Sequence, residues 1–468
     1  MHDKFTMMTT GPVERLVLRM AAPTIAMMLI SAIYNMADTY YVGGLGTSAT
    51  AAVGVSFSLM ALIQAVGFFF GHGAGNYIAR ELGAQRYDNA GRMAATGFAT
   101  TLSVGAALAA AGLANLDHLA ELLGSTPTIL PHAREYLFYI LVAMPWMASS
   151  FTLNNLLRFQ GSAVYGMIGM ASGAVLNIIL DPIFIFVLDM GVGGAGLATM
   201  ISQMVGFSLL LRGCARPGNI RIRPGNIRPS LAAYREIAMG GFPSLCRQGL
   251  AGTATIVLNH TAAGFGDAAV AAIAIVQRVG MFAGSALIGF GQGFQPVCGF
   301  NYGAGLYARV GRAFFFCVKT SSVALVFIAA VGAVFASEIV ALFRRDDPRV
   351  IEIGTLALRL QCLTFPLSGW IILNNMMLQT IGKAWRASVL ALARQGLFLM
   401  PVLFALTPRF GVLGIQLAQP GADAATFFLS LWMGTGVLRE MREMEERPPP
   451  PCEPDPAALE GRAAVWEG

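Results

Sequence analysis

Long apolar segments alternate with short polar segments along the whole chain of 468 residues. A helix needs about 20 mainly apolar residues to cross a hydrocarbon core of roughly 30 Å. Twelve segments reach this length, and each is predicted to form one membrane-spanning helix, at about residues 15–42, 51–78, 93–115, 134–157, 163–188, 191–213, 235–263, 268–299, 313–336, 351–379, 385–407 and 412–438. The pattern therefore predicts an all-α integral membrane protein with twelve transmembrane helices.

The composition and the loop charges agree with this class and predict its orientation. Hydrophobic residues make up 56% of the chain and charged residues only 12%, against roughly 25% charged residues in a typical soluble domain. Most arginines and lysines lie before the first predicted span or after an even-numbered one. By the positive-inside rule, both termini are expected to be cytoplasmic, in a bacterial-type cytoplasmic (inner) membrane.

The net charge and the cysteines argue against two other classes of protein. The net charge of +6 comes from arginines spread over loops between spans, so it does not indicate binding to nucleic acid. The six cysteines are scattered singly and no CxxC pair occurs. The sequence therefore predicts neither a disulfide framework nor a zinc site, and we expect no cofactor.

The second half of the sequence repeats the first at a spacing of 220 residues. Glycine, proline and asparagine residues match in constant register: Pro23 with Pro243, Gly46 with Gly266, Asn154 and Asn155 with Asn374 and Asn375, and Gly191 with Gly411. Six helices return the chain to its starting side, so the two halves share one orientation. Parallel repeats of this kind are typical of secondary transporters with a binding site near the membrane midplane.

This duplication divides the chain into four parts. Residues 1–213 are predicted to form an N-lobe of six helices, and residues 234–438 a C-lobe of six helices. Between them, residues 214–233 are rich in Pro, Gly and Arg and are expected to form a cytoplasmic linker. Residues 439–468 are charged and then proline-rich, so we expect a disordered cytoplasmic tail.

Two acidic residues stand alone within the predicted spans. Asp38 is the only Asp, Glu, Lys or Arg in residues 20–79, and Asp181 is the only one in residues 159–188. A carboxylate within the bilayer costs at least a few kcal/mol and usually marks an ion or substrate pathway. The alternative is that both acids only bind amides and fix helix packing.

Polar residues around Asp181 complete a candidate ion site. Asn177 precedes Asp181 by one helical turn, so both side chains lie on one face of the fifth span. Pro182 removes a backbone hydrogen bond beside the acid and frees a carbonyl. Thr199 of the sixth span could add a hydroxyl. With Asp38, these groups form a candidate site for H⁺ or Na⁺ coupling, and no structural metal is expected.

The corresponding positions of the second half lack these acids. Leu258 matches Asp38 and Pro401 matches Asp181, so coupling chemistry is expected in the first half. Pro23 is expected to weaken the first span and to act as its hinge.

Further polar residues within the spans are candidates for the substrate pathway. They are Tyr34, Asn35, Gln64, Asn154, Asn374, Arg394 and Asp423. A structural ion pair is the alternative for the last two of these. Arg247 and Arg359 are interpreted as residues that extend to a membrane interface.

Three sequence motifs resemble those of multidrug and toxin extrusion (MATE) transporters. They are Pro23 followed by Tyr34-Asn-Met-Ala-Asp38, Asn177-Ile-Ile-Leu-Asp181-Pro182, and Gly191-Val-Gly-Gly-Ala-Gly-Leu-Ala-Thr199. The resemblance covers roughly residues 12–438. It implies a V of two six-helix lobes, and a branch of the family whose ion site lies in the N-lobe.

The resemblance also implies a function. It predicts efflux of mainly cationic, amphipathic small molecules in exchange for H⁺ or Na⁺ by alternating access. The site residues it implies are Asp38, Asn177, Asp181 and Thr199, with Pro23 on the first helix. We expect a monomer that contacts membrane lipid and is not an enzyme.

Two other functions were weighed against this one. A flippase for lipid-linked saccharides or cell-wall precursors would share the broader fold, with a more cationic central cavity. An intramembrane aspartyl protease is suggested by Gly264-Phe-Gly-Asp267. That motif matches a short turn between two helices in the first half, whereas a protease acid should lie within a helix bundle.

Overall fold

A computed structural model describes residues 2–344 and 347–446. These residues form long helices joined by short turns. The helices are α1 His2–Thr10, α2 Val13–Gly43, α3 Thr47–Gly83, α4 Tyr87–Ala114, α5 Leu116–Leu122, α6 Leu130–Phe159, α7 Ala163–Pro182, α8 Gly191–Ala215, α9 Leu231–Ala263, α10 Asp267–Gly303, α11 Tyr307–Val334, α12 Ala336–Phe343, α13 Pro348–Thr380, α14 Ala384–Leu392, α15 Leu399–Phe410 and α16 Val412–Glu446. π-Helical segments at Ile183–Val187 and Ala393–Leu397 continue α7 and connect α14 to α15.

The twelve predicted spans all correspond to helices. They are α2, α3, α4, α6, α7 and α8 in the first half, and α9, α10, α11, α13, α14 with α15, and α16 in the second. Within the described ranges, ten helices are long and apolar enough to cross a membrane by composition alone. Helices α9 and α16 are equally long but richer in polar residues. The short helices α1, α5 and α12 were not predicted.

The repeat in the sequence is a repeat of backbone geometry. Helices α3 and α10 each have 37 residues, and α4 and α11 each have 28 residues. The turn before α3 contains Gly46 with φ +108°, and the turn before α10 contains Gly266 with φ +96°. These angles lie in the region that glycine adopts without strain. The matched glycines therefore preserve the two turns.

Helix α16 extends into the segment that was predicted to be a disordered tail. Helix α16 continues to Glu446, so the expectation of disorder from residue 439 onward is wrong for its first eight residues. Glu440 forms salt bridges with Lys383 at 2.8 Å and Arg386 at 2.9 Å, and Met441 is buried. These contacts stabilise a charged segment that its composition alone marks as loop. Residues 447–468 lie outside the described part.

The two halves meet along α2 with α10 and α3 with α9. Glycines allow close approach at the ends near the arginine-rich loops. A Cβ atom at Gly73 would lie 2.2 Å from the Ile237 carbonyl oxygen, and one at Gly83 would lie 2.1 Å from that of Phe300. Towards the opposite ends, large side chains are exposed, including Tyr40 (78%). The halves therefore pack closely at the ends near the arginine-rich loops.

A buried arginine reinforces this packed end. Arg158 of α6 is 1% exposed and has no salt bridge to a described carboxylate. Its guanidinium donates to the Gln292 carbonyl at 2.6 Å and to Gln295 Oε1 at 2.8 Å, both on α10. It also donates to Asn155 Oδ1 at 2.5 Å and contacts His72 Nε2 at 3.1 Å. Neutral acceptors from both halves thus stabilise this cation and hold the halves together.

Candidate ion and substrate sites

The two lone acids face one another across neighbouring helices. Asp38 of α2 is 2% exposed and Asp181 of α7 is fully buried. Helices α2 and α7 pack together, and the charge of Asp38 acts on Asp181. Neither carboxylate forms a salt bridge with a lysine or arginine among the described residues. The sequence-predicted acids are therefore brought together without a compensating cation from the protein.

Asn177 links Asp181 to Thr199 of α8. The amide orientation that satisfies both ends places Asn177 Nδ2 2.9 Å from Asp181 Oδ2, so that the amide donates to the carboxylate. In this orientation Asn177 Oδ1 accepts from the Thr199 hydroxyl at 3.2 Å and from its backbone N–H at 3.1 Å. Asn177 is 2% exposed and Thr199 is fully buried. All four predicted ion-site residues thus belong to one buried cluster.

The helix geometry changes immediately after this cluster. α7 ends at Pro182, and Ile183–Val187 form a π-helical segment in which the Leu188 N–H donates to the Ile183 carbonyl at 2.9 Å. A proline cannot donate to the preceding turn, and π-helical turns often lie at functional sites. The expected disturbance of the helix beside Asp181 is therefore present.

Two tyrosines complete the cluster, and only one of them was predicted. Tyr34 lies one turn before Asp38 on α2, and both acids act electrostatically on it. Tyr136 of α6 is fully buried, and both acids act electrostatically on it. Its hydroxyl and Asp38 Oδ1 have no hydrogen-bond partner among the described residues. Tyr136 could not be singled out from the sequence, because a tyrosine near the end of a span is common at membrane interfaces.

An apolar cavity of about 410 Å³ adjoins the cluster. Tyr34 and Gln64, both predicted for the substrate pathway, line it together with Phe57, Met60 and Met147. Because both carboxylates act electrostatically on Tyr34, the cavity lies beside the acid cluster. The side chain of Asn35 lies outside the described part of the structure.

The second half contains a larger and more polar cavity of about 590 Å³. Arg394, in the π-helical segment, lines this cavity and donates to Asp423 of α16 at 2.8 Å. Gln419 donates to the same Asp423 oxygen at 3.0 Å, and Ser368 accepts from Arg394 at 3.2 Å. Asp423 is fully buried. The ion pair that was the alternative for Arg394 and Asp423 is therefore present, and of the two residues only Arg394 lines the cavity.

Three other residues that were singled out in the sequence lie outside the lining of both cavities. Asn154 lies against Gly166 of α7, and Asn374 of α13 donates to the Ser430 carbonyl of α16 at 2.7 Å. Neither asparagine lines either cavity, because both fill the close approach of two helices. Arg247, which was interpreted as a residue that extends to a membrane interface, donates to Asn375 Oδ1 at 3.2 Å.

The remaining motifs can also be placed. Pro23 lies inside α2, which continues through it as one helix from Val13 to Gly43. Asp267 of the Gly264-Phe-Gly-Asp267 motif is exposed at the first residue of α10, in a turn rather than a bundle interior. In the described ranges, no group of three or more His, Cys, Asp or Glu residues could hold a metal ion.

Comparison with known proteins agrees with this architecture. Multidrug export protein MepA from Staphylococcus haemolyticus is 29% identical, over 86% of this chain and 89% of its own length. The protein of the same name from Staphylococcus aureus strain NCTC 8325 is 28% identical, over 86% and 90%. A crystal structure of MATE in the bent conformation superposes with a TM-score of 0.89 at 24% identity, covering 95% of this chain and 99% of that one.

The family profile matches the chain twice, once in each half. The MatE profile matches residues 23–183 and residues 243–404, so the two matches begin at Pro23 and Pro243. Together they cover more than half of the chain. A protein of this family is a membrane transporter rather than an enzyme, with two lobes and twelve transmembrane helices. The chain belongs to the MatE family of transporters.

Proposed function

We propose that this MATE-family transporter is a secondary active multidrug efflux antiporter. It exports cationic amphipathic compounds by alternating access, in exchange for H⁺ or Na⁺. The observation that carries the proposal is the buried pair Asp38 and Asp181, which has no cationic partner among the described residues and adjoins an apolar cavity. The names of the MepA relatives, which are multidrug export proteins, support the same function.

The acid pair has the chemistry of a coupling site. Two carboxylates in a low-dielectric interior cannot both be charged without a large cost, since burial and mutual repulsion add. A proton or Na⁺ bound between Asp38 and Asp181 removes the repulsion and permits a different packing of α2 against α7. Pro23 gives α2 a point at which it can bend.

The arrangement around Asn177 favours a proton over Na⁺. With its amide nitrogen towards Asp181 and its oxygen towards Thr199, Asn177 offers no oxygen to a cation between the acids. Sodium binding would require this amide to turn, whereas protonation of one carboxylate leaves it in place.

The energetics are sufficient for export of a neutral compound. At about 2.3 kcal/mol per elementary charge per 100 mV, one proton that crosses about 150 mV supplies roughly 3.4 kcal/mol, whereas a hundredfold gradient of a neutral compound costs about 2.7 kcal/mol. Exchange of a monovalent cation for one H⁺ moves no net charge, so export of such a cation must use the pH gradient or more than one ion.

The N-lobe cavity fits a cationic amphiphile. Phe57, Met60 and Met147 offer an apolar and adaptable wall, and the carboxylates behind Tyr34 attract positive charge. When a drug cation and the coupling ion compete for this negative site, binding of one releases the other. The same proposal places the protein in a bacterial cytoplasmic membrane with both termini inside, as a monomer. Residues 1–213 and 234–438 are its two lobes, joined by residues 214–233.

Dye efflux from proteoliposomes tests the coupling assignment. A proton gradient and a sodium gradient are imposed separately on purified wild-type protein, Asp38→Asn and Asp181→Asn. We expect gradient-driven efflux in the wild type and a fall to the rate of protein-free liposomes in both variants. Normal elution in size-exclusion chromatography shows that the variants are folded.

The matched control is Asp267→Asn, which makes the same change at an exposed turn. It should transport like the wild type. Undiminished gradient-driven efflux by Asp38→Asn and Asp181→Asn would end the coupling assignment. Loss of activity in Asp267→Asn would instead show that the turn before α10 is required for transport.

A further inference from the structure

Arg278 is an isolated charged residue within a long apolar helix of the C-lobe. It is the only Asp, Glu, Lys or Arg in residues 268–308. It lies on α10, which is long and apolar enough to cross a membrane, and a helical rise of about 16 Å separates it from the first residue of α10. An ionisable residue within a transmembrane segment is a candidate functional residue.

The surroundings of Arg278 leave its charge available. Its side chain is exposed and lines the C-lobe cavity of about 590 Å³. Among the described residues it forms neither a salt bridge nor a hydrogen bond. The other arginine of the cavity, Arg394, is paired with Asp423. The described lining of the cavity therefore has one positive charge without a paired carboxylate.

The rest of the lining supplies hydrogen bonds and no free carboxylate. Side-chain amides from four helices and a π-helical segment surround the cavity, from Asn259, Gln277, Gln361, Gln395, Gln416 and Gln419. Amide N–H groups and a guanidinium are suitable donors for a carboxylate or a sulfonate. The wall near Arg278 also includes apolar residues such as Ile273, Ile288 and Ile372.

This cavity adjoins the first one. Met281, one turn after Arg278 on α10, lines both the apolar N-lobe cavity and the polar C-lobe cavity. A single amphiphile that passes Met281 can therefore meet carboxylates on one side and an arginine on the other.

From this arrangement we propose that the C-lobe cavity binds the anionic group of an amphiphilic substrate, with Arg278 as its charge partner. The transporter then accepts zwitterionic or anionic amphiphiles in addition to cations. This assignment goes beyond the proposed ion coupling and does not depend on it, because it concerns equilibrium binding without a gradient.

Two dyes that differ in one group test the assignment. Rhodamine 110 carries a free carboxylate, and rhodamine 123 is its methyl ester. Their binding to the purified full chain in detergent is measured by fluorescence anisotropy for wild type, Arg278→Gln and Arg278→Lys. We expect Arg278→Gln to weaken rhodamine 110 about tenfold, because a charged hydrogen bond is lost, and to change rhodamine 123 less than about twofold. Arg278→Lys should keep most of the affinity.

The control is Arg359→Gln, which removes an exposed arginine of α13 that does not line the cavity. It should leave the affinity for both dyes unchanged. A second measurement needs no variant: 2-naphthoate should displace rhodamine 110 from the wild type, whereas the neutral 2-naphthamide should not.

Several results would overturn the assignment. Equal losses for both dyes in Arg278→Gln would show that the residue only supports the fold. An unchanged rhodamine 110 affinity would show that Arg278 is not the charge partner of the carboxylate. Failure of the wild type to bind rhodamine 110, or equal displacement by naphthoate and naphthamide, would also contradict it. Each of these outcomes leaves the test of Asp38 and Asp181 intact.

Discussion

The two lobes share a backbone geometry, but their buried carboxylates differ in whether they have a cationic partner. In the N-lobe, Asp38 and Asp181 lie together with no cationic partner among the described residues. In the C-lobe, Asp423 is paired with Arg394 at 2.8 Å and hydrogen-bonded by Gln419. The first site can gain a cation, whereas the second already contains one. Duplication of a scaffold therefore does not duplicate its chemistry.

The corresponding positions show how the lobes diverged. Leu258 stands where the N-lobe has Asp38, and Gln419 stands where it has Thr199. Arg394 corresponds to Ala174, so the charge pair of the C-lobe occupies new positions. Both lobes nevertheless have a π-helical segment in their fifth span. A loosened helix is thus common to both lobes, while the charges beside it differ.

The largest difference between the lobes should appear in stability. Asp423→Asn leaves Arg394 without its anion, and we expect a loss of about 2 to 3 kcal/mol, since breaking a partly buried pair strands a charge. The apparent melting temperature in detergent, measured by the loss of the monodisperse elution peak, should fall by several degrees. The double variant Arg394→Gln with Asp423→Asn should regain most of the lost melting temperature, because neither partner is then charged. An unchanged melting temperature in Asp423→Asn would show that the Arg394–Asp423 pair does not contribute to the stability of the protein.

The same substitution at an acid of the N-lobe should not lower the melting temperature. Asp181→Asn removes a buried negative charge that has no cationic partner, and its amide oxygen still accepts from Asn177. We expect an unchanged or slightly raised melting temperature, by at most about 1 kcal/mol of stabilisation, despite the loss of coupled efflux. A fall as large as that of Asp423→Asn would mean that the N-lobe acids also hold the fold together, as the packing interpretation requires.

The smallest expected effect concerns Tyr136, whose substitution tests whether its hydroxyl belongs to the coupling site. Its hydroxyl has no partner among the described residues and lies in the acid cluster, so Tyr136→Phe should cost less than about 1 kcal/mol of stability. We expect a several-fold weaker dependence of dye efflux on the driving ion, because one oxygen is lost from the site. Tyr139→Phe, on the same helix, is the control. Wild-type ion dependence in Tyr136→Phe would exclude Tyr136 from the coupling site.

The sequence predicted the helices well because their signal is local. Each span is a long apolar segment, and the bounds of α3 and α10 differ from the predictions by at most five residues. The helical end of α16 was missed because its stability depends on Lys383 and Arg386, which are distant in sequence. Arg278 could have been found from the sequence, since it is as isolated in its span as Asp38 is in the first.

The sequence by itself determined the class of protein, the number of spans, the duplication and the two isolated acids, because hydropathy and spacing can be read along the chain. Only the tertiary structure decided that Tyr136 joins those acids, that Asn154 and Asn374 fill helix contacts, and that Arg278 lines a cavity beside Met281. The physical reason is that these relations depend on which faces of distant helices meet. That choice is made by packing between α2, α6, α7 and α8, and between α10, α13 and α16.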